Sequence, residues 1–173
     1  MRGRLALMLL AAPLMAGLPG CGLQPIYADG SQGVAAQQLA GIEVPLLPDR
    51  AGQLLRDELL RVIRPEGSVR YRLDIKMTET IEGFGIRGDE SVARKRVSLV
   101  ADYQLVDLAS NQVVLTDRAR SDAGIDVVQS EYAVVAAEQT ARERNATLAA
   151  RAIAARLGLH FRTSGPAAAG ATR

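Results

Sequence analysis

The chain is poor in the residues that usually carry chemistry. Its 173 residues include one Cys, one His and no Trp, and its only other aromatic residues are two Phe and four Tyr. One Cys and one His cannot build a structural zinc site, and a single Cys cannot close a disulfide within the chain. No HExxH, Walker A or nucleophile-elbow pattern occurs, so an enzyme is not expected and no cofactor is implied. Gly83 and Gly85 form a Gly-x-Gly, but the third glycine and following helix of a dinucleotide fingerprint are missing. His160, beside Phe161 near the end of a helical stretch, reads as a surface or capping residue, and the Asp89-Glu90 pair as an ordinary solvated loop. Aromatic residues are too few beside the basic ones for nucleic-acid binding by base stacking.

What is present begins with an address. Arg2 and Arg4 form a short positive segment, followed by the uncharged, Leu- and Ala-rich run Leu5 to Leu18. Crossing a bilayer takes roughly 20 apolar residues, so this shorter run fits the core of a signal peptide. It ends in Leu18-Pro19-Gly20-Cys21, the shape of a bacterial lipobox: an apolar residue, two further positions, then Cys. The thiol of Cys21 would carry the diacylglycerol, and the peptidase needs a small residue, here Gly20, just before it. Pro19 is an unusual occupant of the middle position. Removing residues 1–20 takes Arg2 and Arg4 away, leaving 19 basic against 19 acidic residues. A formally neutral mature chain gives no electrostatic case for nucleic acid. One acyl chain holds a protein only marginally at about 0.8 kcal/mol per buried CH₂, so a stable anchor needs several. Gly22 follows the Cys with no acidic retention residue, which favours the outer membrane.

The rest reads as one domain. Residues 21–38 carry Pro25, Gly30, Ser31 and Gly33 and read as a lipidated tether. Leu39 to Val44 is expected as a first strand, and Asp49 to Arg64 as an amphipathic helix with Ala51, Leu55, Leu59 and Val62 at helical spacing. Val69, Tyr71, Leu73, Ile75 and Met77 alternate with polar residues, as do Val97, Leu99, Ala101, Tyr103 and Leu105, so each set lines one face of a strand. A third strand of this group runs from Val113 to near Arg120, and Glu79 to Ser91 reads as a flexible loop or hairpin tip. Gln129 to Leu157 reads as a long helix, with Ser130 as a candidate N-cap. Its wheel carries two apolar sectors, one for the sheet and a second that is either Ala-rich filler or a partner surface. Residues 163–173 read as a disordered tail. The expected fold is α+β, a two-layer sandwich with two helices on one face of a mostly antiparallel four-stranded sheet, in the order β-α-β-β-β-α over residues 39–162.

Three basic clusters stand out: Arg70, Arg72 and Lys76; Arg87 with Arg94-Lys95-Arg96; and Arg118 with Arg120. If the strands pair as expected, these form either one zone suited to phosphate or carboxylate groups, or an ordinary solvated face balanced by Asp74, Asp102 and Asp117.

The opening Gly20-Cys21-Gly22-Leu23-Gln24-Pro25-Ile26-Tyr27 resembles the GCGFQPLY opening of the LptE family of lipopolysaccharide-assembly lipoproteins. The later order is similar too: Tyr71-Arg72-Leu73 in a strand, a Gly-rich loop, then Arg96-Val97-x-Leu99 running into Ala101 to Asp107. Tyr132-Ala133 and an Ala-rich helix through Leu157 follow. The resemblance implies an outer-membrane lipoprotein, anchored through Cys21 and facing the periplasm. It would plug and help assemble an LptD-like β-barrel and bind lipopolysaccharide during its transport. It also implies ligand contact by basic residues before the second long strand, where Arg87 is the best match, with Arg94, Lys95 and Arg96 beside it. The basic residue that the family carries near the start of its last helix has no clear counterpart around Gln129 to Val135. The alternative is an accessory periplasmic lipoprotein of another lipid-transport system of the ABC type.

Overall fold

In the computed structural model, residues 33–86 and 92–164 are described. The elements are α1 (Val34–Ala40), β1 (Ile42–Glu43), α2 (Asp49–Ile63), β2 (Tyr71–Ile86), β3 (Val92–Asp107), β4 (Gln112–Asp126) and α3 (Glu131–Ser164). The sheet order is β1-β2-β3-β4. β1 runs parallel to β2, joined by the α2 crossover, and the other two pairings are antiparallel. The α+β class and the mostly antiparallel four-stranded sheet are as expected, with a third, short helix added.

Alternation sets the layers. Tyr71 and Leu73 of β2, and Val97, Leu99, Ala101, Tyr103 and Leu105 of β3, are buried on the face that the helices cover. β4 adds Ala119 and Ser121. Leu55, Leu59 and Ile63 of α2 and Ala146, Ala149, Ala150, Ile153 and Leu157 of α3 close one continuous core over them. The two strands of the long hairpin have 16 residues each. At about 3.3 Å per residue they span roughly 53 Å. α3, with 34 residues, spans roughly 51 Å at 1.5 Å per residue. The helix is therefore long enough to follow the ribbon from end to end.

Four segments differ from expectation. Residues 34–40 are helical, so Leu39 belongs to α1 and the first strand shrinks to Ile42–Glu43. Ala35 and Leu39, one helical turn apart, are both buried on this helix, which packs on α3. Gly41 then ties the corner together, its carbonyl accepting from the N–H groups of Arg70 and Tyr71 at 2.9 and 3.0 Å. β2 continues to Ile86, with Gly83 opposite Lys95 and Phe84 opposite Arg94, so the expected loop is largely strand. Gly85 sits at φ 73°, a left-handed conformation that glycine adopts without steric cost. Residues 87–91 lie outside the described residues, as do the signal peptide, Cys21 and 165–173. β4 runs on to Asp126 because Ser121 turns inward, its hydroxyl donating to the Asn145 carbonyl at 3.0 Å. α3 continues through Phe161, which stacks on Tyr71 at 5.1 Å, and ends at Ser164.

α2 matches expectation within a residue, and Arg64 caps it in the left-handed region at φ 47°. Gly52 in its first turn is buried against the preceding loop, where an added Cβ would meet Leu47 Cβ at 2.8 Å. Alanine is the better helix former by about 1 kcal/mol, but overpacking a filled site costs about 1–3 kcal/mol. Leu47 contributes its Cβ here, so relief requires movement of the loop backbone. Gly52→Ala is therefore expected to lower the denaturation midpoint; a raised midpoint would show that the loop yields freely.

Candidate functional site

Of the residues proposed for anion contact, Arg87 and the lipidation residue Cys21 lie outside the described residues. The other three are adjacent in β3, and a strand sends adjacent side chains to opposite faces. Arg94 and Arg96 stand on the helix-free face of the sheet, whereas Lys95 points beneath α3. Lys95 is thus set apart from Arg94 and Arg96, on the other side of the sheet.

On the helix-free face most cations are already engaged. Arg72 grips Asp74 through two bonds, Nε to Oδ1 at 2.8 Å and Nη2 to Oδ2 at 2.9 Å. Arg118 bonds Asp102 at 2.5 Å, Arg120 bonds Asp122 at 3.3 Å, and Arg94 bonds Asp126 at 3.0 Å. The Asp74 and Asp102 carboxylates raise the pKa of Arg72 and Arg118 respectively. The Ser98 hydroxyl, donating to Asp122 and helped by Arg120, holds that carboxyl below its usual range. Asp74 and Asp102 do balance this face. Asp117 lies on the opposite face, where the Arg118 backbone N–H and then the Arg156 guanidinium lower its pKa.

Among the described residues of this face, Lys76 and Arg96 have no carboxylate ion pair. Arg96 lies over the Phe84 ring at 5.3 Å, a cation–π contact that leaves its N–H fork available. Lys76 borders a groove of 390 Å³ that Asp74, Asp102, Gln104 and Thr116 also line. Both of its aspartates named here are held by arginines.

Beneath α3 the arrangement is different. Lys95 Nζ donates to Glu138 Oε1 at 2.8 Å, and Arg142 Nε donates to Glu79 Oε1 at 2.9 Å. Arg142 Nη2 also lies 3.7 Å from Glu138 Oε2, so the four side chains form one chain of alternating sign. The sequence reading missed this network, although inward parity in β2 and β3 already marked Glu79 and Lys95. It also missed Asn145, which is buried and donates from Nδ2 to the Val97 carbonyl at 2.8 Å.

His160 is half-buried, edge-on to Phe161 at 5.6 Å. Burial, then the Arg156 charge, lowers its pKa, which favours the neutral ring. Tyr103, buried beside Asp117, is pushed up to about 12, mainly by burial. No group of three or more His, Cys, Asp or Glu able to hold a metal occurs among the described residues. No helix among them is long and apolar enough to cross a membrane.

Comparison with solved structures identifies the fold. A candidate lipoprotein of Caulobacter crescentus CB15 superposes with a TM-score of 0.62 at 24% identity, over 74% of this chain and 96% of that one. The uncharacterised lipoprotein B of Nitrosomonas europaea gives 0.56 at 15% identity, over 72% and 83%. A minor lipoprotein of Acinetobacter baumannii gives 0.52 at 13%, over 68% and 88%. The chain has a fold that lipoproteins carry. At these identities the likeness concerns fold alone. No protein-family profile and no curated protein sequence matches the chain.

The two layers make different demands on their cations. Arg94→Ala removes one exposed pair and is expected to change stability by no more than about 0.5 kcal/mol. Lys95→Ala leaves Glu138 short of a partner in a half-buried seam and is expected to cost about 1–2 kcal/mol. Denaturant titration of the two variants distinguishes them; equal effects would mean that Lys95 is as loosely held as Arg94.

Proposed function

We propose that this protein is an outer-membrane lipoprotein of the LptE type. In this reading it is anchored through acylated Cys21, plugs and helps assemble an LptD-like β-barrel, and contacts lipopolysaccharide during its transport, with no reaction of its own. The observation that carries the reading is the opening Gly-Cys-Gly-Leu-Gln-Pro-Ile-Tyr at Gly20 to Tyr27, directly after a signal-peptide core. Its support is the fold, shared with three proteins described as lipoproteins.

The physical features of the domain are compatible with a plug. A barrel lumen is hydrated, so its occupant must offer a surface that needs no desolvation of bare charges. Most of the helix-free sheet face does so, since Arg72, Arg94, Arg118 and Arg120 each bring their own carboxylate, while among the described residues Lys76 and Arg96 do not. α3 also exposes Tyr132, Val135 and Leu148 to the outside, apolar side chains suited to a partner wall. For lipopolysaccharide, whose lipid A and core sugars carry phosphates and carboxylates, we assign contact to Arg87, Arg94 and Arg96. Arg96 is free of any carboxylate pair among the described residues, and the exposed Arg94–Asp126 pair exchanges at little cost. Lys95 belongs to this set only when Glu138 releases it.

Isolation of the acylated chain from its native membranes in mild detergent tests the proposal. The expected product is a tight complex with a large outer-membrane β-barrel, carrying lipopolysaccharide. Recovery as a monomer accompanied by inner-membrane transport components would overturn it in favour of the ABC-type accessory role.

A further inference from the structure

The first half of α3 is built inside out. Between Glu131 and Arg144 only Val134 and Ala141 are buried, whereas the second half buries Ala146, Ala149, Ala150, Ile153, Ala154 and Leu157, among others. Two of the three larger apolar side chains of the first half, Tyr132 and Val135, point away from the sheet at 85% and 63% exposure, and only Val134 is buried. Its charged residues Glu138 and Arg142 point toward the sheet instead, into the chain Lys95–Glu138–Arg142–Glu79. These side chains are partly open to water, from 16% for Glu138 to 32% for Lys95. The two halves meet at Asn145, pinned by its bond to the Val97 carbonyl and by the Ser121 hydroxyl on its own carbonyl. Asn145 Oδ1 is buried without a partner.

Apolar burial gives the second half a cohesion that salt does not weaken, while partly hydrated ion pairs hold the first half more loosely and are screened. Segments with few buried apolar contacts open first, independently of the rest of a fold. We infer that residues 131–144 form a hinged flap, latched to the sheet by Lys95, Glu138, Arg142 and Glu79 and pivoting at Asn145, that opens while the remaining core stays closed. Opening separates Lys95 from Glu138 and Arg142 from Glu79, so Lys95 becomes available, while Arg142 keeps Glu138 on its own helix. In the closed form Lys95 is not free to meet an anion. The flap thus controls access to the one proposed ligand-contact residue that lies on the helix-covered side.

Thiol labelling of the full chain, read peptide by peptide, tests this. Val134→Cys and Ala141→Cys report on the flap, and Ala154→Cys reports on the second half. Raising NaCl from about 0.05 M to about 1 M shortens the screening length to about 3 Å and is expected to speed labelling of the two flap cysteines roughly three- to tenfold. The rate at Ala154→Cys is expected to stay constant. Adding Glu79→Gln and Glu138→Gln to either flap reporter should give the fast rate already at low salt and remove the salt dependence. Flap cysteines labelled at one rate across the salt range would overturn the latch, and acceleration at all three positions together would overturn the hinge.

Discussion

The architecture depends on one long helix lying along a ribbon of nearly its own length. β2 and β3 form a hairpin far longer than β1, so most of the sheet has only three strands and cannot bury a face by itself. α3 supplies the missing layer over β3 and β4, while α2 closes the remaining end beside α3. The seam is made of small residues. Ala146, Ala149, Ala150 and Ala154 let the helix approach closely, and Ile153 and Leu157 fill the space between α3, α2 and the sheet. Asn145 adds direction to what would otherwise be a smooth contact, because its bond to Val97 is satisfied at one register only.

The charged residues follow from the same arrangement. A chain with many arginines places them where alternation dictates, and each layer handles them differently. On the open face, Arg pairs with Asp in water, within a strand at Arg72 and Arg120 and between strands at Arg94 and Arg118, which gives little stability. Under the helix, the same chemistry in partial burial holds two elements together. Arg94, Lys95 and Arg96 show the division within three consecutive positions: one exposed pair, one seam contact, and one cation stacked on a ring.

Periodic signals were legible in the sequence and long-range ones were not. The inward residues of β2 and β3 and the bounds of α2 follow from spacing of two and of 3.6, whereas Val69, expected in the same inward set, falls before β2 and is exposed. β4 runs six residues past its expected end, where the Asn145 carbonyl, a long-range partner, holds Ser121 inward. The wheel of α3 misled for a physical reason. Its buried stripe drifts around the helix, from Val134 and Ala141 to Ile153 and Phe161, as it passes from the sheet to α2. A fixed wheel mixes residues from both ends and places Tyr132 and Val135 in one sector with Ile153, although Ile153 is buried and the other two face outward. Lys95 is set apart from its neighbours by parity, which the sequence does contain, and α1 is hidden by the Gly-rich stretch preceding it.

Lipoprotein character is the premise on which the functional account stands, and it rests on Cys21 rather than on any side chain of the folded domain. The proposed role, that of an anchored domain with no reaction of its own, needs the tether to hold it in place. Intact-mass spectrometry of the chain from its own membranes addresses this directly. The account predicts a mature form beginning at Cys21 and heavier than its sequence by a diacylglycerol and an amide-linked acyl chain. A form that keeps residues 1–20, or that carries an unmodified Cys21, would contradict it.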